Sequence, residues 1–393
     1  MVRAERFRRL IDVRRVELVG LVALSAIAIA VSVALADQDS GTETPRGGRS
    51  SAAARVPRSP GSTSRSAAQR PTTTTTTSQP RRGNGTAVTL VFGGDTHFEG
   101  GLRSKLDANP GGMFAPIAGV LGGADIAMVN LETAIATGGS PDRKAYNFRA
   151  PPSAFEALRA AGVDAVTMAN NHGRDYGPAG LSETLAAKQQ TPLPVLGIGA
   201  NAEEAYRPWR TNVRGQRITV FAATDVLDDW LIEPWTATDA QPGLASSKAP
   251  AGDRLLAGIR AVRPDSDTII VYLHWGVEGS TCPSPRQQEL AQALVDAGAD
   301  VVVGSHSHRV MTAGRLGTAF VDYGLGNFAF YNESGPAGIT GALKVTVTGR
   351  DVDGYEWVPA RIRSGIPQVL DGAAAASDRA AFTQRQACAG LTP

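Results

Sequence analysis

Sulfur and imidazole are both scarce in this chain. Its 393 residues include two cysteines and five histidines. Two cysteines cannot build a thiolate-rich zinc or iron–sulfur site. Cys282 and Cys388 are an even pair, and in an exported protein an even pair suggests a disulfide. It would pin the C-terminal end near the loop that follows His274. Two buried free thiols are the alternative. Basic charge is missing from the part expected to fold. Residues 1–86 hold 14 Arg, no Lys and six acids, a charge of +8; the whole chain carries +2, which leaves −6 beyond residue 86. A nucleic-acid-binding domain needs a basic face, and this charge balance argues against that class. Large apolar side chains are almost absent from residues 37–86, which are rich in Ser, Thr, Pro, Gly and Arg. Such a stretch cannot bury a core and is expected to be a disordered linker.

One long apolar run is present. Leu18–Ala36 is 19 residues without a charge, about the length that crosses a bilayer as a helix. Six arginines (Arg3, Arg6, Arg8, Arg9, Arg14 and Arg15) precede it and favour a cytoplasmic N-terminus. The expected organisation is a cytoplasmic basic segment at 1–17, a transmembrane signal anchor at 18–36 and the linker at 37–86. A single-pass membrane protein with its folded part outside follows from this. Ala34-Leu35-Ala36 also fits a small-x-small cleavage site, so secretion after cleavage near Ala36 is the alternative.

From about Ala87 short apolar, β-branched-rich runs alternate with amphipathic helices. Val88–Phe92, Ile126–Val129, Ala165–Met168, Ile218–Ala222, Thr268–Leu273, Val301–Val303 and Ala319–Asp322 suit strands buried on both faces. Segments 153–161 and 286–297 suit helices, and each is followed by glycine, Gly162 or Gly298, as a left-handed cap prefers. Alternation after Gly341 suggests antiparallel strands near the end. The fold class is therefore α/β with a mixed sheet. The folded domain is expected over 87–365, with 366–393 as a C-terminal tail.

All five histidines fall in four motifs at the ends of such strands: Gly-Gly-Asp-Thr-His (93–97), Asn-Asn-His (170–172), His-Trp-Gly (274–276) and Gly-Ser-His-Ser-His (304–308). Ligands gather at the carboxyl ends of strands in open α/β sheets. Asp95 and His97 lie at i and i+2, which point to one side of an extended chain. His306 and His308 repeat that spacing. Asn171 offers a carbonyl oxygen to a metal, while His172 faces elsewhere as a proton carrier. Asp175 stands close enough in sequence to orient His172. His274 ends a very apolar strand, and Glu132 of Asn-Leu-Glu adds a carboxylate able to bridge two cations. This nitrogen and oxygen donor set without sulfur suits Zn, Mn, Fe or Mg. Its size matches a two-metal hydrolytic site acting on a phosphate, with His172 protonating the leaving oxygen.

The order of Gly-Asp, Asn-Leu-Glu, Asn-Asn-His with Asp-Tyr-Gly, His-Trp-Gly-x-Glu, Gly-x-His-x-His and Gly-Asn-Phe (326–328) resembles the capsule-synthesis protein CapA family. That family is linked to poly-γ-glutamate capsules and sits in the calcineurin-like metallophosphoesterase superfamily. The resemblance covers about Val88 to Phe330. It implies a four-layer α-β-β-α sandwich with mixed sheets and two divalent ions. Asp95, His97, Glu132 and His308 would hold one ion, and Glu132, Asn171, His274 and His306 the other, with His172 as general acid. It also implies an anionic polymer or a phosphoester as substrate, and components of a capsule synthase as partners. Glu132 stands where the wider superfamily has Asp, and Gly279 where the family usually has Tyr.

Overall fold

A computed structural model describes residues 81–393. The segments expected at 1–17 and 18–36, and the linker to residue 80, lie outside the described residues. Among the described residues no helix is long and apolar enough to cross a membrane.

Two mixed sheets carry the fold. In the first, Val88–Thr96 is central. Ile126–Leu131, Ala165–Thr167 and Val195–Leu196 follow it in order on one side, all parallel. On its other side Ile339–Thr348, Asp351–Arg363 and Ile366–Val369 run antiparallel in turn. The short strand Asn327–Ala329 pairs with the end of Val88–Thr96. In the second sheet Gln216–Thr224, Thr268–Trp275, Val301–His306 and Ala319–Asp322 are parallel neighbours. Trp209–Val213 and Ala313–Leu316 close the two edges antiparallel.

The alternation of side chains along each strand decides the layers. Leu90, Phe92, Ile126 and Met128 of the first sheet share one core with Ile218, Val220, Ile270 and Val303 of the second. Val91, Ala127 and Val129 point the other way and pack on helices through Leu102, Ile117, Leu158 and Leu181. Phe221, Val271 and Val302 do the same on the outer face of the second sheet, against Leu255, Ile259, Leu290 and Leu294. Strands buried on both faces explain why these segments read as unbroken apolar runs. Each such side chain, once buried, contributes about 1.5–3 kcal/mol.

Local signals fix the helix ends. Pro285–Ala297 starts on a capping box, in which Ser284 accepts from the Gln287 amide and the Gln287 side chain accepts from the Ser284 amide. It stops at Gly298, whose φ is 117°. Ser153–Ala160 stops before Gly162, φ 92°.

The two ends of the folded part differ from the boundaries expected from the sequence. Arg81 Nε lies 2.7 Å from Asp351 Oδ1 and Arg82 Nη2 lies 3.2 Å from Asp353 Oδ1. The fold thus already includes residues 81–86, read above as linker. Residues 366–393 are not a tail. Ile366–Val369 extends the first sheet, and the helix Gly372–Gln384 places Phe382 in the core between the sheets. There it stacks on Trp357, with ring centroids 4.9 Å apart and planes 4° apart. The helix was hard to see because its sequence is mostly alanine and polar residues, with a single large apolar anchor. Cys282 and Cys388 form a disulfide, S–S 2.01 Å, that ties the loop after Thr268–Trp275 to the last turn of the chain.

Candidate metal centre

The histidine motifs meet where the strands of both sheets end. Val88–Thr96 and Val301–His306 run past their apolar stretches and carry Asp95 and His306 into the interior. Gly94 makes this possible. A Cβ there would stand 1.9 Å from the Gly326 carbonyl oxygen, whose acceptor is used by the Asp95 amide at 2.9 Å.

Asp95 is fully buried. Its Oδ1 accepts from Asn130 Nδ2 at 2.8 Å, and its Oδ2 accepts from the His306 amide at 3.0 Å. Asn130 is held in turn by Asn170 Nδ2 at 2.9 Å. His308 Nδ1 lies 3.3 Å from Asp95 Oδ2 and 2.8 Å from Asn327 Oδ1. Burial disfavours the charge on Asp95, but the bond from His308 and the nearby imidazoles hold its carboxyl well below the usual range. His306 and His308 have φ of 96° and 52°. Left-handed backbone at a non-glycine residue costs about 1–3 kcal/mol and persists where its surroundings fix it. Here the Asp95 and Asn327 bonds do so.

Glu132 lies at the middle. One carboxylate oxygen and one nitrogen each from His306 and His308 all fall within 4.8 Å of one another. Glu132 Oε1 is also 3.4 Å from His274 Nε2 and 3.9 Å from His172 Nε2. His274 Nε2 is in turn 2.7 Å from Asn171 Oδ1 and 3.1 Å from His306 Nδ1. Donors that share a cation at about 2.1 Å stand about 3.0–3.4 Å apart. Both oxygens of Glu132 are buried, and neither has a hydrogen-bond partner among the described residues. A buried carboxylate left this way is costly, so the residues present fit a bound cation.

The structure thus brings together Asp95, Glu132, Asn171, His274, His306 and His308. His97 is turned away from them. Its Nδ1 faces the Glu99 amide at 3.0 Å and its Nε2 the Tyr331 amide at 3.3 Å. Its ring packs among Phe148, Phe330 and Tyr331. The i, i+2 rule fails because the strand ends at Thr96 and its pairing register shifts at Asp95.

His172 stands beside the cluster. Its Nδ1 lies 2.5 Å from Asp175 Oδ2, which leaves Nε2 toward Glu132. Phe148 stacks on the ring at 4.0 Å. Lys144, which lies in none of the sequence motifs, completes the group. Its Nζ is 2.5 Å from Asp175 Oδ1 and 3.2 Å from His172 Nδ1, and it donates to the Asn171 carbonyl. The Lys144 and Asp175 side chains are only 10% and 0% exposed, so the ammonium and carboxylate depend on each other. Burial pushes Asp175 up to about 7 against the pull of Lys144. Burial, then the charge of Lys144, push His172 well below the usual imidazole range. A single faint signal was available: lysine is rare here, five among 39 basic residues.

A cleft of about 430 Å³ opens over His172 and His308. Glu278 is exposed on its wall rather than bonded to the cluster. Hollows of about 570 and 620 Å³ lie beside Tyr206, away from these groups.

Comparison with known proteins agrees with the motif order. Residues 89–332 match the family profile described as bacterial capsule synthesis protein PGA_cap. The capsule biosynthesis protein CapA of Bacillus anthracis is 35% identical over 191 residues, 48% of this chain and 45% of that one. A probable polyglutamine synthesis accessory protein of Mycobacterium tuberculosis is 32% identical over 189 residues, 47% of this chain and 50% of that one. The chain spans about half the length of these relatives. Among solved structures, a phosphatase of Mycoplasma pneumoniae aligns with a TM-score of 0.46 at 15% identity, over 74% of this chain and 97% of that one. The chain belongs to the bacterial capsule synthesis protein PGA_cap family.

Proposed function

We propose that this chain is a membrane-anchored, extracytoplasmic hydrolase of a phosphoester, working in synthesis of a capsule or cell-envelope polymer. Its sandwich is of the metallophosphoesterase type, and its centre takes two divalent ions, Mn, Fe, Zn or Mg. The observation that carries this is Glu132: a buried carboxylate with no hydrogen-bond partner among the described residues, facing imidazole nitrogens. The disulfide fits an oxidising compartment outside the cytoplasm.

Bound there, the cations would polarise a phosphoryl oxygen and lower the pKa of an attacking water. Asp95, Glu132 and His308 would hold one, and Glu132, Asn171, His274 and His306 the other. Asp175 fixes His172 with the proton on Nδ1, so Nε2 is the atom at which a proton enters or leaves the cleft. It donates a proton to the leaving oxygen while the attacking water gives one up to solvent, so that water and ester become alcohol and phosphate, or a phosphomonoester where the substrate is a diester. Lys144 holds both Asp175 and the backbone of Asn171 in place.

The test is turnover of simple phosphomonoesters and phosphodiesters by the metal-loaded full chain. Replacing His172 with alanine is expected to lower turnover about 10²–10⁴-fold. Absence of hydrolysis by metal-loaded chain, or equal turnover in the variant, contradicts the proposal.

The names of the relatives favour a second role, a component that binds, anchors or exports an anionic polymer such as poly-γ-glutamate beside a capsule synthase. Net charge beyond residue 86 is −6, so cations at the same centre would have to bridge to such a polymer. Polymer binding that survives Glu132→Ala, with no turnover of any ester, supports that role instead.

A further inference from the structure

The cleft above the buried cluster has an uneven lining. Tyr146 and Tyr331 are 64% and 44% exposed, two of five large apolar side chains that are exposed among the described residues, and both line this cleft. Exposed aromatic faces gathered at one concave place mark a binding surface. Tyr331 continues an aromatic wall. Phe148 stacks on His172 at 4.0 Å, and Tyr331 meets Phe148 edge-on at 6.0 Å. The wall therefore runs from the proton-carrying ring out to solvent.

Arg309 lines the same cleft. Its Nη1 donates to the His308 carbonyl at 2.8 Å, and its guanidinium forms no ion pair among the described residues. A fork of donors that is mostly unspent, beside a centre for phosphoryl chemistry, suits an anionic oxygen. Glu278 lies in the lining as well. Its carboxylate accepts hydroxyl protons but repels a ligand that carries a carboxylate on every unit. One anion site, exposed rings and a hydroxyl acceptor describe a ligand with one phosphoryl group and a polyhydroxylated ring.

We propose that this cleft binds a phosphorylated sugar, with its ring on Tyr146 and Tyr331, a phosphoryl oxygen on Arg309 and a ring hydroxyl on Glu278. This rests on reading the buried cluster as a phosphoester-cleaving centre. It goes further by naming the organic half of the substrate and the residues that select it.

The test is calorimetry on the Mn²⁺-loaded full chain carrying His172→Ala, which is expected to bind esters without appreciable turnover, with inorganic phosphate, glycerol 3-phosphate and glucose 1-phosphate. This chain is expected to bind glucose 1-phosphate about tenfold more tightly than glycerol 3-phosphate, the scale of one ring stacked on an aromatic side chain. Tyr146→Ala with Tyr331→Ala erases that preference and changes phosphate affinity less than about twofold, because the rings do not touch the phosphoryl group. Arg309→Gln weakens all three ligands. A chain that takes up Mn²⁺ and phosphate but shows no preference for the sugar overturns this proposal alone. So does poly-γ-glutamate that displaces phosphate more strongly than glucose 1-phosphate does. A chain that takes up no Mn²⁺ overturns the hydrolase and this proposal together.

Discussion

Replacing Cys388 with serine opens a covalent loop closed over a sequence separation of 106. In the chain-entropy account, a loop of that length restricts the unfolded chain by about 16 cal/mol/K, or about 4.8 kcal/mol at 25 °C. The folded state loses little in compensation. Ala389 and Leu391 stay in the outer core of the second sheet, and Arg315 and Thr392 keep their backbone bonds of 2.7 and 3.1 Å. The perturbation therefore falls mainly on the unfolded ensemble. Expected is a loss of about 3–5 kcal/mol, with a steeper denaturant dependence because the open chain exposes more surface when unfolded. Chemical denaturation of the oxidised full chain beside Cys388→Ser measures both. Metal uptake should be unchanged, since none of the proposed ligands lies in the segment 276–284 or in the last turn, which the bridge joins. A loss below about 1 kcal/mol, or two reactive thiols in the unreduced wild type, would refute the bridge as a stabilising element.

Two further outcomes follow from the packing and the charges. Asp175 has its folded pKa raised from 3.8 to about 7, so the folded state holds its proton more tightly than the unfolded one. Its contribution is fully present below pH 4 and is lost as pH rises to about 7, a span of at most about 4 kcal/mol. In chelator, the stability of wild type minus that of Asp175→Asn should fall across this window; a flat or rising difference contradicts the assignment. Phe382→Ala should cost about 3–5 kcal/mol, because that ring fills the core between the sheets; thermal unfolding indistinguishable from wild type would show that the last helix is not part of the fold.

The strand cores were legible because burial on both faces writes an apolar run, and Ala319–Asp322 kept its expected bounds. The strand ends were not. Gly93–Thr96 and Gly304–His306 look like turns, yet they stay in strands because Asp95 pairs with Asn130 and Ser305 with His274 across neighbouring strands. Edge strand Trp209–Val213 lacks an apolar run because it is only half buried. In the site, residues at strand ends were readable from their motifs, and Asp175 lies next to His172 as its spacing suggested. His97 was not, since a register shift turns it into an aromatic nest. Lys144 was hidden in a stretch of Gly, Ser, Pro and charged residues that reads as loop, and only the tertiary fold brings its ammonium to Asp175.

The central claim is that Glu132 is buried for the sake of a cation. Metal analysis of the purified full chain beside Glu132→Ala addresses it directly. About two divalent ions per chain are predicted for the wild type, with a clear fall in the variant. Wild-type protein that carries no metal after incubation with Mn²⁺, or a variant that retains the full complement, would contradict it.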